Sequence, residues 1–133
     1  MPERTFPAED SVLGELLAFT EEQLEQAGCP MKQVMKITVA IEEMFVNVAH
    51  YAYPGGSGSV RYSIEPGEGC VTFRLADSGI PFDPLAKPDP DITLSAKERQ
   101  IGGLGIYMMK KTMDEVGYEY RDGENILTMM KRF

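Results

Sequence analysis

The sequence predicts an α+β fold, a two-layer α/β sandwich with helices packed on one face of a mixed, mostly antiparallel sheet. Three observations predict it. Residues 37–53, ITVAIEEMFVNVAHYAY, carry no glycine or proline and are apolar around most of a helical circumference. Two later segments alternate apolar and polar residues on either side of a turn, the pattern of half-buried hairpins. The order helix, helix, two strands, long loop, helix, two strands then gathers the hairpins into a sheet and leaves the helices as a second layer.

A chain of 133 residues suits one domain over residues 1–133, and 43% hydrophobic with 26% charged residues is ordinary for a globular protein. The net charge of −8 argues against nucleic acid or an anionic membrane as a direct partner, because both select for Lys and Arg. No apolar leader opens the chain and no run of 18 apolar residues follows, so neither a signal peptide nor a membrane span is expected. Cys29 and Cys70 lack metal-ligand spacing and read as reduced thiols, which fits a cytoplasmic protein.

Taken in order, residues 4–6 suit a short edge strand. Asp10 or Ser11 can cap a helix bearing Val12, Leu13, Leu16, Leu17, Phe19 and Leu24, which ends at Gly28. Pro30 fits the first turn of the central helix, and Tyr53-Pro54 stops it before the flexible run 55–59. Val60, Tyr62 and Ile64 then pair with Val71, Phe73 and Leu75 across a turn at 66–69. The polar segment 85–100, with Lys87, Lys97 and Arg99, has a length that suits a lid or a disordered loop. A helix with Leu104, Met108, Met109 and Met113 follows and closes near Gly117. A hairpin of 118–121 and 126–133 around a turn at 122–125 completes the chain. The nine methionines read as core filler.

Three places can carry chemistry. Glu43, Asn47 and His50 stand at i, i+4 and i+7 on one helix face, and no Lys or Arg lies between Lys36 and Arg61 to pair with them. The face fits a buried polar network or half-exposed side. It also fits a site where the Asn oxygen meets Mg²⁺ and the Glu accepts a proton. Asp77, at the end of a strand and followed by Gly79, fits a surface turn or an acceptor for an exocyclic amine. Residues 102–105, GGLG, open a helix and fit a plain helix start or a phosphate-binding one. His50 reads as a supporting hydrogen-bond donor.

In this order and spacing the three places resemble the GHKL superfamily of ATPases and kinases, which bind ATP in the Bergerat fold. E-x-x-x-N at 43–47 resembles its N-box, D-S-G-I-P-F-D-P at 77–84 its first glycine box, and G-G-L-G-I at 102–106 its second. The short chain, the D-x-G-x-P-F-D-P form, Met113-Asp114-Glu115-Val116 and Asn125-Ile126-Leu127-Thr128 are most similar to stand-alone anti-sigma-factor serine/threonine kinases. The resemblance covers about residues 10–131.

It implies that Asn47 coordinates the Mg²⁺ that bridges the ATP phosphates and that Glu43 is the catalytic base. Asp77 would hold adenine, and Gly79, Pro81, Phe82, Arg99, Gly102, Gly103, Leu104, Gly105 and Thr128 would line the nucleotide. The implied partners are a STAS-type anti-anti-sigma protein as substrate, a sigma factor held in complex, and a second copy of the chain as a homodimer. Pro81 stands where many relatives carry a further glycine. Arg99 lies a few residues upstream of the arginine that relatives place beside the terminal phosphate. An ATP-responsive module that sequesters a regulator without phosphoryl transfer would use the same adenine and metal residues.

Overall fold

The computed structural model describes residues 2–86 and 103–133. The elements are β1 (Glu3–Pro7), a 3-10 turn (Asp10–Val12), α1 (Leu13–Gln26), α2 (Met31–Tyr51), β2 (Ser59–Gly67), β3 (Cys70–Asp77), a second 3-10 turn (Pro84–Ala86), α3 (Gly103–Thr112), β4 (Glu115–Arg121) and β5 (Glu124–Arg132). The strands form one five-stranded sheet in the order β1-β2-β3-β5-β4. Each of its pairings is antiparallel, so a mixed sheet is not formed among the described residues.

Strand alternation decides which side chains meet the helices. Phe6, Val60, Tyr62, Ile64, Val71, Phe73, Leu75, Leu127 and Met129 are buried together with Leu16, Phe19 and Leu24 of α1 and with Ile37, Ile41, Met44 and Phe45 of α2. Ile106 and Met109 of α3 complete this core. Arg61, Arg74, Ile126 and Thr128 occupy the alternate positions and line a groove on the other face. One polar pair is buried with the core. Thr20 Oγ1 donates to the carbonyl of Leu16 at 2.9 Å and so accepts from the Tyr62 hydroxyl at 2.7 Å. Burial holds the Tyr62 phenol far above its ordinary value.

Several boundaries differ from the sequence expectation. Neither Asp10 nor Ser11 caps α1: Asp10 Oδ2 lies 2.7 Å from His50 Nε2, Ser11 bonds Glu9, and the N-cap Val12 makes no side-chain cap. Gly28 does end α1, with φ of 78° and Cys29 N–H returning to the Leu24 carbonyl at 3.0 Å. Pro30 is the N-cap of α2 rather than part of its first turn, and α2 stops at Tyr51, two residues early. Its outer side is not buried, because Met31, Met35 and Val39 are exposed there. Those two methionines and Met108 are therefore surface residues, whereas Met44, Met109, Met113 and Met129 fill the core.

Near the C-terminus α3 ends at Thr112, and Gly117 pairs with Thr128 inside β4. Asp114 makes the break: its N–H reaches the Met130 carbonyl at 2.8 Å and its carboxylate accepts the Arg132 N–H at 2.6 Å. That N–H holds the Asp114 carboxyl below its usual range. The β4–β5 turn shrinks from four residues to Asp122-Gly123, both at positive φ (53° and 79°), as a two-residue hairpin turn requires. Asn125, expected in that turn, thereby becomes a buried strand residue opposite Asp77.

Candidate functional site

The C-terminal half of α2, the ends of β3 and β5, and the link after β3 enclose a cavity of about 500 Å³, part of it open to solvent. Met44, Val48, Ala52, Leu75 and Leu127 make an apolar wall, into which Asn47, Asp77, Tyr118 and Asn125 bring polar groups. Tyr51, Ile80 and Phe82 stand exposed at the rim. An apolar slot with a few fixed polar groups suits a flat, partly apolar ligand.

Asp77 reaches the slot because β3 pairs with β2 on one side and β5 on the other up to its last residue. The carboxylate is 6% exposed, which demands hydrogen bonds. Its Oδ1 accepts the Gly79 N–H at 2.9 Å and an Asn125 side-chain N–H at 3.0 Å. Oδ2 has no partner among the described residues, so it is the acceptor that Asp77 presents to the cavity.

The link itself is pinned residue by residue. Ser78 N–H donates to the Tyr53 hydroxyl at 2.8 Å, and that hydroxyl donates to the Ser59 carbonyl at 2.7 Å. Ile80 N–H donates to the Ala52 carbonyl at 2.9 Å. Asn125 donates to the Ile80 carbonyl at 2.9 Å and accepts the Phe82 N–H at 3.0 Å and the Tyr118 hydroxyl. Burial raises the phenols of Tyr53 and Tyr118 above their ordinary value.

Asn47 lines the cavity one helical turn beyond Glu43. Both side chains are half-buried, and neither makes a hydrogen bond among the described residues. Glu43 stands beside the cavity wall rather than in it, against the first turn of α3. A Cβ at Gly105 would lie 2.5 Å from Glu43 Oε2 and 3.1 Å from Glu43 Cβ. Glycine at 105 thus lets the N-terminal turn of α3 close onto the carboxylate. No cluster of three His, Cys, Asp or Glu side chains that could chelate a metal occurs among the described residues. An unengaged Asn amide beside a cavity fits a hard cation that brings most of its ligands as water and phosphate.

The structure thus brings Asn47, Asp77 and Phe82 to one cavity and sets Glu43 and Gly105 beside it. Gly79 is near too, and its lack of a side chain has a packing reason. A Cβ there would sit 2.5 Å from Ala52 Cβ and 2.7 Å from the Ala52 carbonyl carbon, so glycine lets the link pass over the end of α2. Pro81 is exposed between Ile80 and Phe82, outside the wall. Thr128 is not brought to the site. It lies an odd number of residues from Asn125 and therefore faces the opposite side of the sheet, with Arg61 and Arg74. His50 leaves the Asn47 side for Asp10 and does not line the cavity. Gly103 begins α3, while Arg99, Gly102 and the lid segment from residue 87 onward lie outside the described residues, as does the side chain of Leu104. Sequence reasoning gave no site role to Asn125, Tyr118 or Tyr53. Counting back in twos from Met129 would have turned Asn125 inward.

A profile of the histidine kinase-like ATPase domain matches residues 6–131. The chain is 29% identical over 94 residues to Serine/threonine-protein kinase BtrW of Bordetella bronchiseptica, covering 70% of this chain and 66% of that protein. It is 27% identical over 109 residues to Serine-protein kinase RsbW of Listeria monocytogenes, covering 77% of this chain and 68% of that protein. It therefore spans about two thirds of the length of these curated relatives. A solved structure of the RsbU and RsbW domains of a Mycobacterium tuberculosis protein superposes with a TM-score of 0.64 at 18% identity. The match covers 99% of this chain and 32% of that one, and it shows a common fold.

Proposed function

The chain belongs to the histidine kinase-like ATPase family, and from that premise we propose that it binds ATP with Mg²⁺ and phosphorylates a serine or threonine of a protein partner. The observation that best supports this reading is that polar groups of two kinds stand unsatisfied in the cavity and at its edge. Asp77 Oδ2 offers an acceptor among apolar walls, and Asn47 with Glu43 offers an amide and a carboxylate toward the start of α3.

In this reading Asp77 Oδ2 accepts from the exocyclic amine of adenine, whose ring the apolar wall shields from water. The phosphates extend toward α3, where backbone N–H groups favour anions. Asn47 would hold Mg²⁺, which when bound offsets the negative charge of the phosphates. Glu43 takes the proton of the attacking hydroxyl as its oxygen bonds the terminal phosphorus. The bond from that phosphorus to the bridging oxygen breaks and ADP leaves. The names of the kinases it resembles, and the motif resemblance, support a protein substrate. We assign that role to a STAS-type anti-anti-sigma protein, with a sigma factor as sequestered partner, a homodimer as assembly, and the cytoplasm as location. Residues 1–133 would act as one domain.

The test is capture of partners from native lysate with Mg·ATP, reading intact masses with wild type beside Glu43→Gln. A partner that gains about 80 Da with wild type only, one phosphoryl group, supports transfer. Capture with no mass gain in either sample replaces the kinase by an ATP-responsive sequestering module. Absence of adenine-nucleotide binding in a calorimetric titration overturns both.

A further inference from the structure

Every hydrogen-bonding group of the Asn125 side chain is engaged by residues 77–82 or by Tyr118. One side-chain N–H points to Asp77 Oδ1 at 3.0 Å and the other to the Ile80 carbonyl at 2.9 Å, with the Gly79 carbonyl at 3.4 Å. The carbonyl oxygen takes Phe82 N–H at 3.0 Å and the Tyr118 hydroxyl. Only a side chain with both two donors and a two-fold acceptor can fill this place. Asn125 is itself 6% exposed, so none of these bonds exchanges freely with water.

We infer that Asn125 is a positioning residue that sets nucleobase selectivity at the Asp77 site, an inference that rests on the adenine-nucleotide reading above. With Oδ1 tied by two N–H groups, the Asp77 carboxylate cannot turn, and Oδ2 stays in the cavity as a pure acceptor. An amine-bearing purine donates to it, whereas a purine with a keto oxygen at that position sets acceptor against acceptor. The same amide holds the link whose Ile80 and Phe82 wall the cavity. Removing Asn125 frees the carboxylate to rotate and the wall to move, although Asp77 is still present.

The experiment titrates ADP and GDP, each with Mg²⁺, into wild type, Asn125→Leu and Asn125→Asp, with a melting curve for each protein. Wild type prefers ADP. Asn125→Leu weakens ADP by about tenfold or more and draws the ADP-to-GDP ratio toward one. Asn125→Asp sets two carboxylates at the spacing of the present bond, where they share a proton. Lowering the pH from about 8 to about 5.5 supplies that proton and restores a donor to Asp77, so the ADP preference returns in this variant and not in Asn125→Leu. A merely structural role would move ADP and GDP affinity together and leave their ratio unchanged on acidification.

A ratio kept within about twofold of wild type in Asn125→Leu, or a flat pH profile in Asn125→Asp, overturns the inference. Should Asn125→Leu not fold, the pH profile of Asn125→Asp decides alone. A wild type without ADP preference refutes instead the reading on which the inference rests.

Discussion

Gly79→Ala is the sharpest single perturbation of this site. The added methyl would overlap the Ala52 carbonyl oxygen and stand 2.5 Å from Ala52 Cβ, against the 3.4 Å at which ordinary contact begins, so the link and the end of α2 must part by at least about 0.9 Å. Ile80 N–H reaches the Ala52 carbonyl at 2.9 Å across the same gap, and an opening of that size carries it out of hydrogen-bond range. Losing that bond costs about 0.5–1.5 kcal/mol and forced repacking about 1–3 kcal/mol, roughly 1.5–4.5 kcal/mol together. For a domain of this size the melting temperature should fall by about 5–15 °C. Because the Gly79 N–H also holds Asp77 Oδ1, ADP affinity should fall with it. Gly14→Ala is the control: nothing lies within 4 Å of its Cβ, and alanine in α1 should stabilise by up to about 1 kcal/mol. Differential scanning calorimetry with and without ADP reads both effects. A Gly79→Ala protein that melts and binds as wild type would refute the close-approach argument.

Two further outcomes follow from the sheet. Thr128→Val should leave ADP affinity within about twofold, since the residue faces the groove opposite the cavity, and a tenfold loss in the same titration would overturn that placement. Tyr62→Phe should cost about 0.5–1.5 kcal/mol near neutral pH by removing the bond to Thr20. The native phenol ionises well above its unfolded value, so its contribution is complete below about pH 10 and is lost as pH rises beyond it. Wild type and variant should therefore converge in urea unfolding above about pH 10, Tyr53 and Tyr118 leaving both a residual alkaline slope. A gap that stays constant with pH would exclude Tyr62 as its source.

Much of the architecture was legible in local pattern. The alternation of Val60, Tyr62 and Ile64 with Val71, Phe73 and Leu75 is the core face of β2 and β3, and Gly28 ends α1 as glycine ends helices. Asn47 and Asp77 were legible for a similar reason: a polar group fixed in an apolar pattern must meet something. What pattern could not supply was register between distant strands. Alternation within β5 puts Asn125 and Thr128 on opposite faces, but only the pairing of Asp77 with Asn125 shows which of them meets the carboxylate. The role of Gly79 was hidden likewise, because its neighbour Ala52 arrives from another element. The end of α3 at Thr112 depends on Asp114 reaching β5, a contact that helical periodicity does not contain.

The bond between Asn125 and Asp77 joins residues 48 apart in the chain. Closing so long a segment carries an entropic cost, met when β5 takes its place between β3 and β4. Until then the first half of the cavity exists without its lock. A ligand that recognises only the finished cavity stabilises the docked chain by mass action. In this architecture nucleotide binding would report whether the final strand has found its place, and ligand in the surroundings would bias the chain toward completing its own fold.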